Sequence, residues 1–201
     1  MGISLISISH QNAPLAVREL FAFPENVQAD LMRQMLERTA AQECVMIGTC
    51  NRTEVYAWSE REESIFTDMQ NLLLEFAEAS EVENIGDYVR FYGGTRAIRH
   101  LFRVAAGLDS MVVGEDQILG QVKRAHEQAR KSGTCDVYLN TLFRYAVTAA
   151  KKVKTETDLS RTTVSMATMA VKAAEKTLGP LHGKKVMLIG ASGKIGSVVL
   201  K

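Results

Sequence analysis

The stretch CVMIGTCNRTEVYAW, residues 44–58, decides how the first half of the chain folds. Two apolar runs of strand length, 44–48 and 55–58, flank a polar tetrapeptide, and their β-branched and aromatic residues are typical of strands. The pattern therefore predicts a tight turn over Thr49–Arg52 that joins two strands. Such a turn would hold Cys50 at the rim of a sheet.

A cysteine in this turn is a candidate nucleophile. Arg52 and the free backbone N–H groups of a turn would favour the thiolate, which is the reactive form of cysteine. Thr49 and Asn51 add a hydroxyl and an amide that could orient a carbonyl group. A lone cysteine is more often a small core residue, so the residues alone leave both interpretations open.

The rest of the first 94 residues predicts a mixed sheet and helix unit. Residues 3–9 alternate apolar and polar side chains, which indicates a half-buried strand. Helical periodicity is present on both sides of the 44–58 stretch, and residues 88–92 form a further strand-like run that ends at two glycines. The resulting order is β-α-β-β-α-β, the ferredoxin-like plan of the α+β class, with helices over about 15–21, 27–36 and 65–79.

The chain becomes helical after Gly94. Thr95 is a plausible N-cap for the first helix, and Glu115 and Asp116 precede another. Apolar residues at helical spacing continue to Gly179-Pro180, where a breaker ends the pattern. We expect helices over about 95–107, 117–132, 136–157 and 163–178.

The C-terminal residues resemble the start of a dinucleotide-binding domain. Val186–Ile189 reads as a buried strand, and Gly190–Gly196 reads as a glycine loop whose N–H groups would face a pyrophosphate. The spacing is Gly-x-x-Gly-x-x-Gly instead of the standard Gly-x-Gly-x-x-Gly. Only five residues follow Gly196, so the sequence predicts the first strand and loop of a truncated Rossmann domain.

Composition excludes several classes of protein. Hydrophobic residues make up 46% and charged residues 23%, with a net charge of +1, so any nucleic-acid contact must be local. There is no apolar run of membrane-spanning length and no signal-peptide pattern. The three cysteines have no metal-binding spacing. We therefore expect a cytoplasmic protein without membrane association or a bound metal.

Two further polar groups could carry chemistry. His100 lies on a helix face with Arg96, Arg99 and Arg103, where a histidine could donate a proton or polarise a carbonyl oxygen. A solvated helix face explains the same pattern. Without a family resemblance, that simpler interpretation is preferred.

Gln117 and Gln121 are one helical turn apart and share a face. With Ser110 and Glu115 just upstream, they could form a polar wall for a small zwitterion. Helix capping and an ordinary solvent-exposed surface also explain these residues, and from the residues alone this interpretation is preferred.

Three sequence blocks together favour the functional interpretation of these residues. They are Ser9–Pro14 (SHQNAP), Thr49–Tyr56 (TCNRTEVY) and His100–Glu115 (HLFRVAAGLDSMVVGE). This combination resembles glutamyl-tRNA reductase, and the resemblance continues into the glycine loop. The family reduces the glutamate carried on its tRNA to glutamate-1-semialdehyde with NADPH, the first committed step of tetrapyrrole synthesis.

The resemblance implies roles for individual residues. Cys50 matches the nucleophile that forms an enzyme thioester, and His100 matches a histidine that is important for activity. The positions around the glutamyl group are matched by Thr49, Asn51, Arg52, Ser110, Glu115, Asp116, Gln117 and Gln121. The NADPH phosphate loop is matched by Gly190, Ala191, Ser192, Gly193, Lys194, Ile195 and Gly196, in which the extra serine departs from the family pattern.

Physical chemistry is consistent with these roles. A thioester is a good hydride acceptor, so its formation divides one difficult reduction into two easier steps. Arg52 could pair bidentately with the side-chain carboxylate of the substrate. Glutamine lacks that charge, so the same contact would help to reject glutaminyl-tRNA.

The resemblance also implies a domain organisation. Residues 1–158 would form the catalytic domain, divided into a sheet part (1–94) and a helical part (95–158). Residues 159–182 would be a spacer helix and linker, and 183–201 the start of the NADPH domain. We expect this chain to acylate Cys50 and hydrolyse the thioester slowly, without completing the reduction.

The expected partners are glutamyl-tRNA(Glu) and the downstream aminomutase. The family's full-length proteins are dimeric, whereas this chain is expected to be monomeric. Two alternatives stay open: a non-catalytic module that binds tRNA or a protein partner, and an unrelated NAD(P) oxidoreductase, which rests on the glycine loop alone.

Overall fold

The structure is a computed structural model, and it describes residues 2–60, 65–79, 84–160 and 166–192. It contains a four-stranded sheet and several helices, which confirms the α+β class. In the described part of the chain, no helix is both long and apolar enough to cross a membrane.

The sheet is antiparallel and has the order β2-β3-β1-β4. Its strands are β1 (Gly2–Ser9), β2 (Glu43–Gly48), β3 (Arg52–Ser59) and β4 (Arg90–Gly93). The register pairs Ser9 with Arg52, so the C-terminal end of β1 lies beside the loop between β2 and β3. The two strands predicted around Thr49–Arg52 are therefore confirmed.

The last strand begins two residues later than the 88–92 pattern predicts. Residues Ile85–Tyr88 form a short 3₁₀ helix instead, and its C-terminal hydrogen bond, from Val89 N–H to Gly86 O, takes up the backbone before β4 begins. The pattern placed Tyr88 in the strand because aromatic residues favour strands wherever they can pack.

Helices cover both faces of the sheet. Every residue of β3 is buried, and since side chains alternate along a strand, both faces must be shielded. α1 (Leu15–Leu20), α2 (Glu25–Arg38) and α3 (Ile65–Phe76) come from the first part of the chain. α2 contacts β2 and α3 contacts β1, and the two helices also contact each other.

The second group of helices follows β4 directly. It consists of α4 (Thr95–Ala105), α5 (Gln117–Lys131), α6 (Val137–Glu156) and α7 (Met166–Leu178). α5 packs on β2, and α4 packs on β1 and α6, so one core connects the sheet with α4, α5 and α6. The predicted N-cap at Thr95 is wrong: Gly94 occupies that position, and Thr95 is the first helical residue.

The predicted strand at Val186–Ile189 is wrong. These residues have no strand structure, and Val186, Met187 and Ile189 are 78%, 83% and 85% exposed. A strand needs a hydrogen-bonded neighbour, and the sheet formed by the described residues contains only β1 to β4. Apolar, β-branched composition therefore predicted a strand that has no partner in this part of the chain.

Candidate active site

Cys50 lies in the loop between β2 and β3 and is exposed, whereas the other two cysteines are not. Cys44 is fully buried in β2, and burial raises the pKa of its thiol well above the ordinary range. Burial followed by the charge of Glu43 raises the pKa of Cys135 to about 12. Cys50 is thus the thiol that a substrate in solution can reach.

The loop around Cys50 is closed by its own hydrogen bonds. The N–H groups of Asn51 and Arg52 both donate to Thr49 Oγ1, each at 3.1 Å, and the Thr49 N–H donates to Arg52 O at 2.9 Å. The expectation that the turn offers free N–H groups to the thiolate is therefore wrong for these three residues. A threonine hydroxyl that satisfies the turn takes up two of the donors.

Two residues from the first part of the chain stabilise the loop by hydrogen bonds. Arg18 of α1 donates from Nη1 to Cys50 O and to Asn51 Oδ1, both at 3.1 Å. The His10 N–H donates to Asn51 O at 2.9 Å. Burial and the charge of Arg52 lower the pKa of His10, so its imidazole is neutral near pH 7. No sequence spacing indicates the Arg18 contact.

Arg52 belongs to a buried network of ionic side chains. It is 2% exposed, and its Nη1 donates to Glu54 Oε1 at 2.8 Å and to Asp109 Oδ2 at 3.1 Å. Its Nη2 donates to the Asp109 backbone oxygen. Glu54, which is fully buried, also contacts His100 Nε2 at 2.7 Å and accepts from Tyr56 Oη at 2.8 Å.

Glu54 is the anion at the centre of this network. Burial alone would raise its pKa, but the His100 hydrogen bond and the Arg52 charge outweigh burial and lower the pKa to about 2. An ionised carboxylate only accepts hydrogen bonds, so His100 Nε2 must carry the proton in this contact. Burial and the Glu54 charge raise the pKa of Tyr56 well above its usual range, which keeps Tyr56 a donor.

His100 is fixed from two sides. Its ring stacks on Tyr92 with centroids 5.0 Å apart, and its Nε2 contacts Glu54. It does not line the cleft at Cys50. Glu54 and Arg52 connect it to the cysteine loop.

A small cleft that is open to solvent lies at Cys50. Seven of the eight positions that the resemblance places around the glutamyl group line this cleft; the exception is Asp116. The lining residues are Thr49, Cys50, Asn51, Arg52, Ser110, Met111, Glu115, Gln117, Ile118 and Gln121.

The wall opposite the cysteine loop is a connector, residues 107–116, which leads into α5. Gly107 and Gly114 have φ values of +78° and +85°, a conformation that glycine adopts without strain. The Gly114 N–H donates to Gly107 O at 2.9 Å, which closes the connector on itself. A Cβ atom at Gly114 would also meet the backbone oxygen of Leu159.

Asp116 faces away from the cleft. Its side chain is 75% exposed and pairs with Lys154 of α6 at 2.6 Å. Lys154 also donates to the Glu115 backbone oxygen at 3.1 Å. Asp116 therefore ties the end of the connector to α6.

Ser110 presents an unused polar group to the cleft. The residue is 9% exposed, and its Oγ has no hydrogen-bond partner among the described residues. Burying an unpaired hydroxyl costs free energy. A ligand in the cleft would supply the missing partner.

The residues expected to hold the cofactor phosphates do not form a binding loop in the described part of the chain. Gly190, Ala191 and Ser192 lie in a turn that follows the exposed segment 186–189. Gly193, Lys194, Ile195 and Gly196 lie outside the described residues. In the part of the chain that the structure covers, no three metal-ligating side chains come close enough to hold an ion.

Comparison with known proteins identifies the family. The domain described as "Glutamyl-tRNAGlu reductase, N-terminal domain" matches residues 6–157. The chain is 43% identical to the glutamyl-tRNA reductase of Desulforudis audaxviator, over 100% of the chain and 44% of that protein. It is also 43% identical to that of Geobacillus kaustophilus, over 98% of the chain and 43% of that protein.

A solved structure gives the same result. Glutamyl-tRNA reductase from Methanopyrus kandleri superimposes with a TM-score of 0.67 at 34% identity, covering 98% of this chain and 45% of that one. The chain thus spans a little under half the length of the relatives that it matches. The chain belongs to the glutamyl-tRNA reductase family and corresponds to its N-terminal region.

Proposed function

We propose that this chain performs the acyl-transfer step of glutamyl-tRNA reduction, with Cys50 as the nucleophile. The main support is the position of the only exposed thiol of the three in a cleft whose opposite wall carries an unpaired buried hydroxyl, that of Ser110. The sulfur attacks the ester carbonyl carbon, a C–S bond forms, and the C–O bond to the terminal ribose breaks. The thiol proton ends on the ribose oxygen that leaves, and the product is a Cys50 thioester.

Arg52 is the proposed contact for the substrate side-chain carboxylate. Its three hydrogen bonds to Glu54 and Asp109 use three of the five N–H groups of a guanidinium. Two remain, which is the number that a bidentate contact needs. The two protein carboxylates fix the guanidinium at the cleft and also reduce its net attraction for a third anion, so the contact would depend on geometry more than on charge alone.

The opposite wall would hold the rest of the glutamyl group. We propose that Ser110 donates to a substrate oxygen and that Glu115 accepts from the α-amino group. Gln117 and Gln121 would provide amides that both donate and accept, and Thr49 and Asn51 would shape the cysteine side of the cleft. Asp116 would act through Lys154 by positioning the connector, and His100 would act through Glu54 by positioning Arg52.

Reduction of the thioester by NADPH is proposed for the full-length enzyme. This chain covers 44% of the length of one such relative. The product would be glutamate-1-semialdehyde, which enters tetrapyrrole synthesis and would pass to an aminomutase. The described residues 186–192 form neither the strand nor the loop that would hold the cofactor's phosphates. The chemistry proposed for the described residues therefore ends at the thioester, which water would hydrolyse slowly.

The same proposal includes the division of the chain. Residues 1–94 would be a ferredoxin-like unit, supported by the β2-β3-β1-β4 order, and 95–158 would complete the catalytic domain. Residues 159–182 would link it to a nucleotide domain that begins near residue 183. We propose that this chain alone is monomeric.

The test measures release of free tRNA from glutamyl-tRNA by the wild-type chain and by Cys50→Ala, with glutaminyl-tRNA as the mismatched substrate. We expect release by the wild type only, and preferentially from glutamyl-tRNA. Binding of tRNA without any release would instead favour the non-catalytic module. Equal release from both substrates would argue against a carboxylate contact at Arg52.

A further inference from the structure

Charge is strongly segregated between the two parts of the chain. Residues 1–94 contain 15 Asp and Glu but only 6 Lys and Arg, whereas residues 95–157 contain 6 Asp and Glu and 11 Lys and Arg. The first part therefore carries a net charge of −9 and the second +5, which the overall value of +1 conceals. A polyanion would be repelled by the first part and attracted by the second.

Three arginines of α4 form one exposed surface. Arg96, Arg99 and Arg103 are all exposed, and at 3.6 residues per turn they fall within an arc of about 60°. The opposite side of the helix, which includes Leu101 and Val104, is buried. We refer to Arg96, Arg99 and Arg103 as the arginine face.

The arginine face has no acidic partner in the described part of the chain. α4, with the sequence TRAIRHLFRVA, contains no Asp or Glu. None of the ion pairs formed by the described residues involves Arg96, Arg99 or Arg103. Three guanidinium groups on one face therefore remain available to an anionic partner.

The arginine face lies next to His100 on the same helix, and His100 belongs to the buried network behind the cleft. His100 is at about 40° from Arg96 around the helix. The same His100 contacts Glu54, which contacts Arg52 beside the cysteine loop. Two hydrogen bonds thus connect His100, the neighbour of the arginine face on α4, with Arg52, which lines the cleft.

We propose that the arginine face binds the phosphodiester backbone of RNA close to its aminoacylated end. This inference rests on the proposed function, because only an RNA-borne substrate places phosphates beside the cleft. Guanidinium groups suit phosphate oxygens because their planar N–H pairs bind bidentately. Contacts of this kind position an RNA without reading its sequence.

An acidic protein partner fits the surface less well. Protein interfaces have an apolar and aromatic centre, and the arginine face contains no apolar side chain. Ile98, the exposed apolar residue of α4, is about 130° away around the helix from the centre of the arginine face. An extended phosphodiester backbone, by contrast, can bind to a row of cationic side chains without an apolar centre.

The test uses a fluorescein-labelled, uncharged tRNA(Glu) transcript and measures its Kd by anisotropy at several salt concentrations. The variant is Arg96→Gln/Arg99→Gln/Arg103→Gln. The matched control, Arg33→Gln/Arg38→Gln/Arg90→Gln, removes three exposed arginines from the acidic part. We expect the α4 variant to bind at least about tenfold more weakly at 0.1 M salt. The slope of log Kd against the logarithm of the salt concentration should be smaller by about 3, because each phosphate contact adds close to one unit to that slope.

Two results would overturn the inference. One is an α4 variant that binds the transcript with the same Kd and salt slope as the wild type. The other is displacement of the transcript by poly-L-glutamate as effectively as by unlabelled tRNA, which would favour an acidic protein. The charge-matched control should bind like the wild type, and thermal melting of both variants checks that they are folded.

A second measurement separates this inference from the proposed function. Single-turnover acylation of Cys50 is followed over a range of glutamyl-tRNA concentrations. The α4 variant should reach the wild-type maximal rate but need about tenfold more substrate. Wild-type chain that binds tRNA through α4 but never acylates would refute only the proposed function, whereas acylation with unchanged half-saturation in the α4 variant would refute only the RNA surface.

Discussion

The two walls of the cleft differ in how their polar groups are satisfied. On the cysteine wall, residues 49–52, the Thr49 hydroxyl closes the turn and Arg18 donates to the Cys50 and Asn51 oxygens. On the opposite wall, Ser110 Oγ is buried without a partner among the described residues, and Met111 is 52% exposed. The cysteine wall is held by its own hydrogen bonds, although His10 Nδ1 and Arg18 Nε behind it also lack partners among the described residues. On the opposite wall, a residue that lines the cleft itself, Ser110, has the unpaired group.

This difference fits a division of labour between the walls. A nucleophile gains from being held in one geometry, because orientation is supplied before the substrate arrives. Specificity gains from polar groups that are satisfied only by the correct substrate. We therefore infer that changes on the cysteine wall affect reactivity and folding, whereas changes on the opposite wall affect binding.

Replacement of the nucleophile should have the largest effect. Cys50→Ser should reduce acylation to background, because an unactivated hydroxyl is a poor nucleophile at neutral pH. Cys44→Ala and Cys135→Ala should remain active, since Cys44 is buried and Cys135 is partly buried. The assay is transfer of labelled glutamate to protein. Normal labelling of the Cys50→Ser chain, with the label on another cysteine, would disprove the assignment.

Neutralising the centre of the buried network should mainly affect folding. Glu54→Gln leaves His100 without a carboxylate partner and Arg52 with Asp109 alone, and breaking a buried ion pair costs about 3–5 kcal/mol. The free energy of unfolding, measured in urea, should fall by about that amount. Glu37→Gln, a change at an exposed carboxylate of α2, should have little effect. If both variants were equally stable, the network would contribute nothing to folding.

The same carboxylate predicts a dependence of stability on pH. The folded pKa of Glu54 is about 2, below the ordinary value of 4.5, so its contribution is complete above the ordinary value and is lost as pH falls toward 2. Wild-type stability should decline over this acid range, and Glu54→Gln should show a shallower decline. Parallel pH profiles for the two chains would contradict the assigned ionisation of Glu54.

Arg52→Lys should have an intermediate effect on catalysis. Lysine retains the charge beside Glu54 and Asp109 but loses the planar fork. Because a charge-assisted contact is worth about 1.5–3 kcal/mol, we expect roughly a tenfold or greater loss of acylation efficiency. Discrimination between glutamyl-tRNA and glutaminyl-tRNA should fall as well. A loss of stability with unchanged discrimination would mean that Arg52 is only structural.

Removing one hydroxyl group from each wall compares the two walls directly, and these substitutions should have the smallest effects on stability and acylation. Ser110→Ala should leave stability unchanged or slightly higher, because the hydroxyl has no hydrogen-bond partner among the described residues, and it should raise the half-saturating substrate concentration several-fold. Thr49→Val should lower stability by about 1 kcal/mol, since two N–H groups lose their acceptor. Thermal melting and acylation kinetics on both variants measure the contrast, and equal effects on stability would contradict it.

The sequence pattern predicted the frame of the site, but not its interior. Period-two alternation and a polar turn located β1, β2, β3 and the Cys50 loop, because these signals are local. The Arg52–Asp109 and Glu54–His100 contacts join residues 57 and 46 positions apart, and no spacing rule reports them. The resemblance to the family predicts that Ser110, Glu115, Gln117 and Gln121 share one site, and these four residues line the same cleft.

The wrong predictions have physical causes as well. Free N–H groups at Cys50 were expected from the turn alone, but the Thr49 side chain satisfies two of them and the Arg52 carbonyl a third. The strand at Val186–Ile189 was expected from composition, which does not report whether a neighbouring strand exists. The Arg18 contacts have no sequence signal, because a single arginine on a short helix does not indicate which loop it reaches.

The most direct test of the central claim is peptide mass mapping of the chain after brief incubation with glutamyl-tRNA and an acid quench, with free tRNA, NADPH consumption and semialdehyde measured in the same sample. We predict one glutamyl group, on the peptide that contains Cys50, in proportion to the tRNA released and without stoichiometric semialdehyde. A glutamyl group on any other residue, or tRNA release that leaves Cys50 unmodified at every time point, would contradict the assignment of Cys50 as the nucleophile.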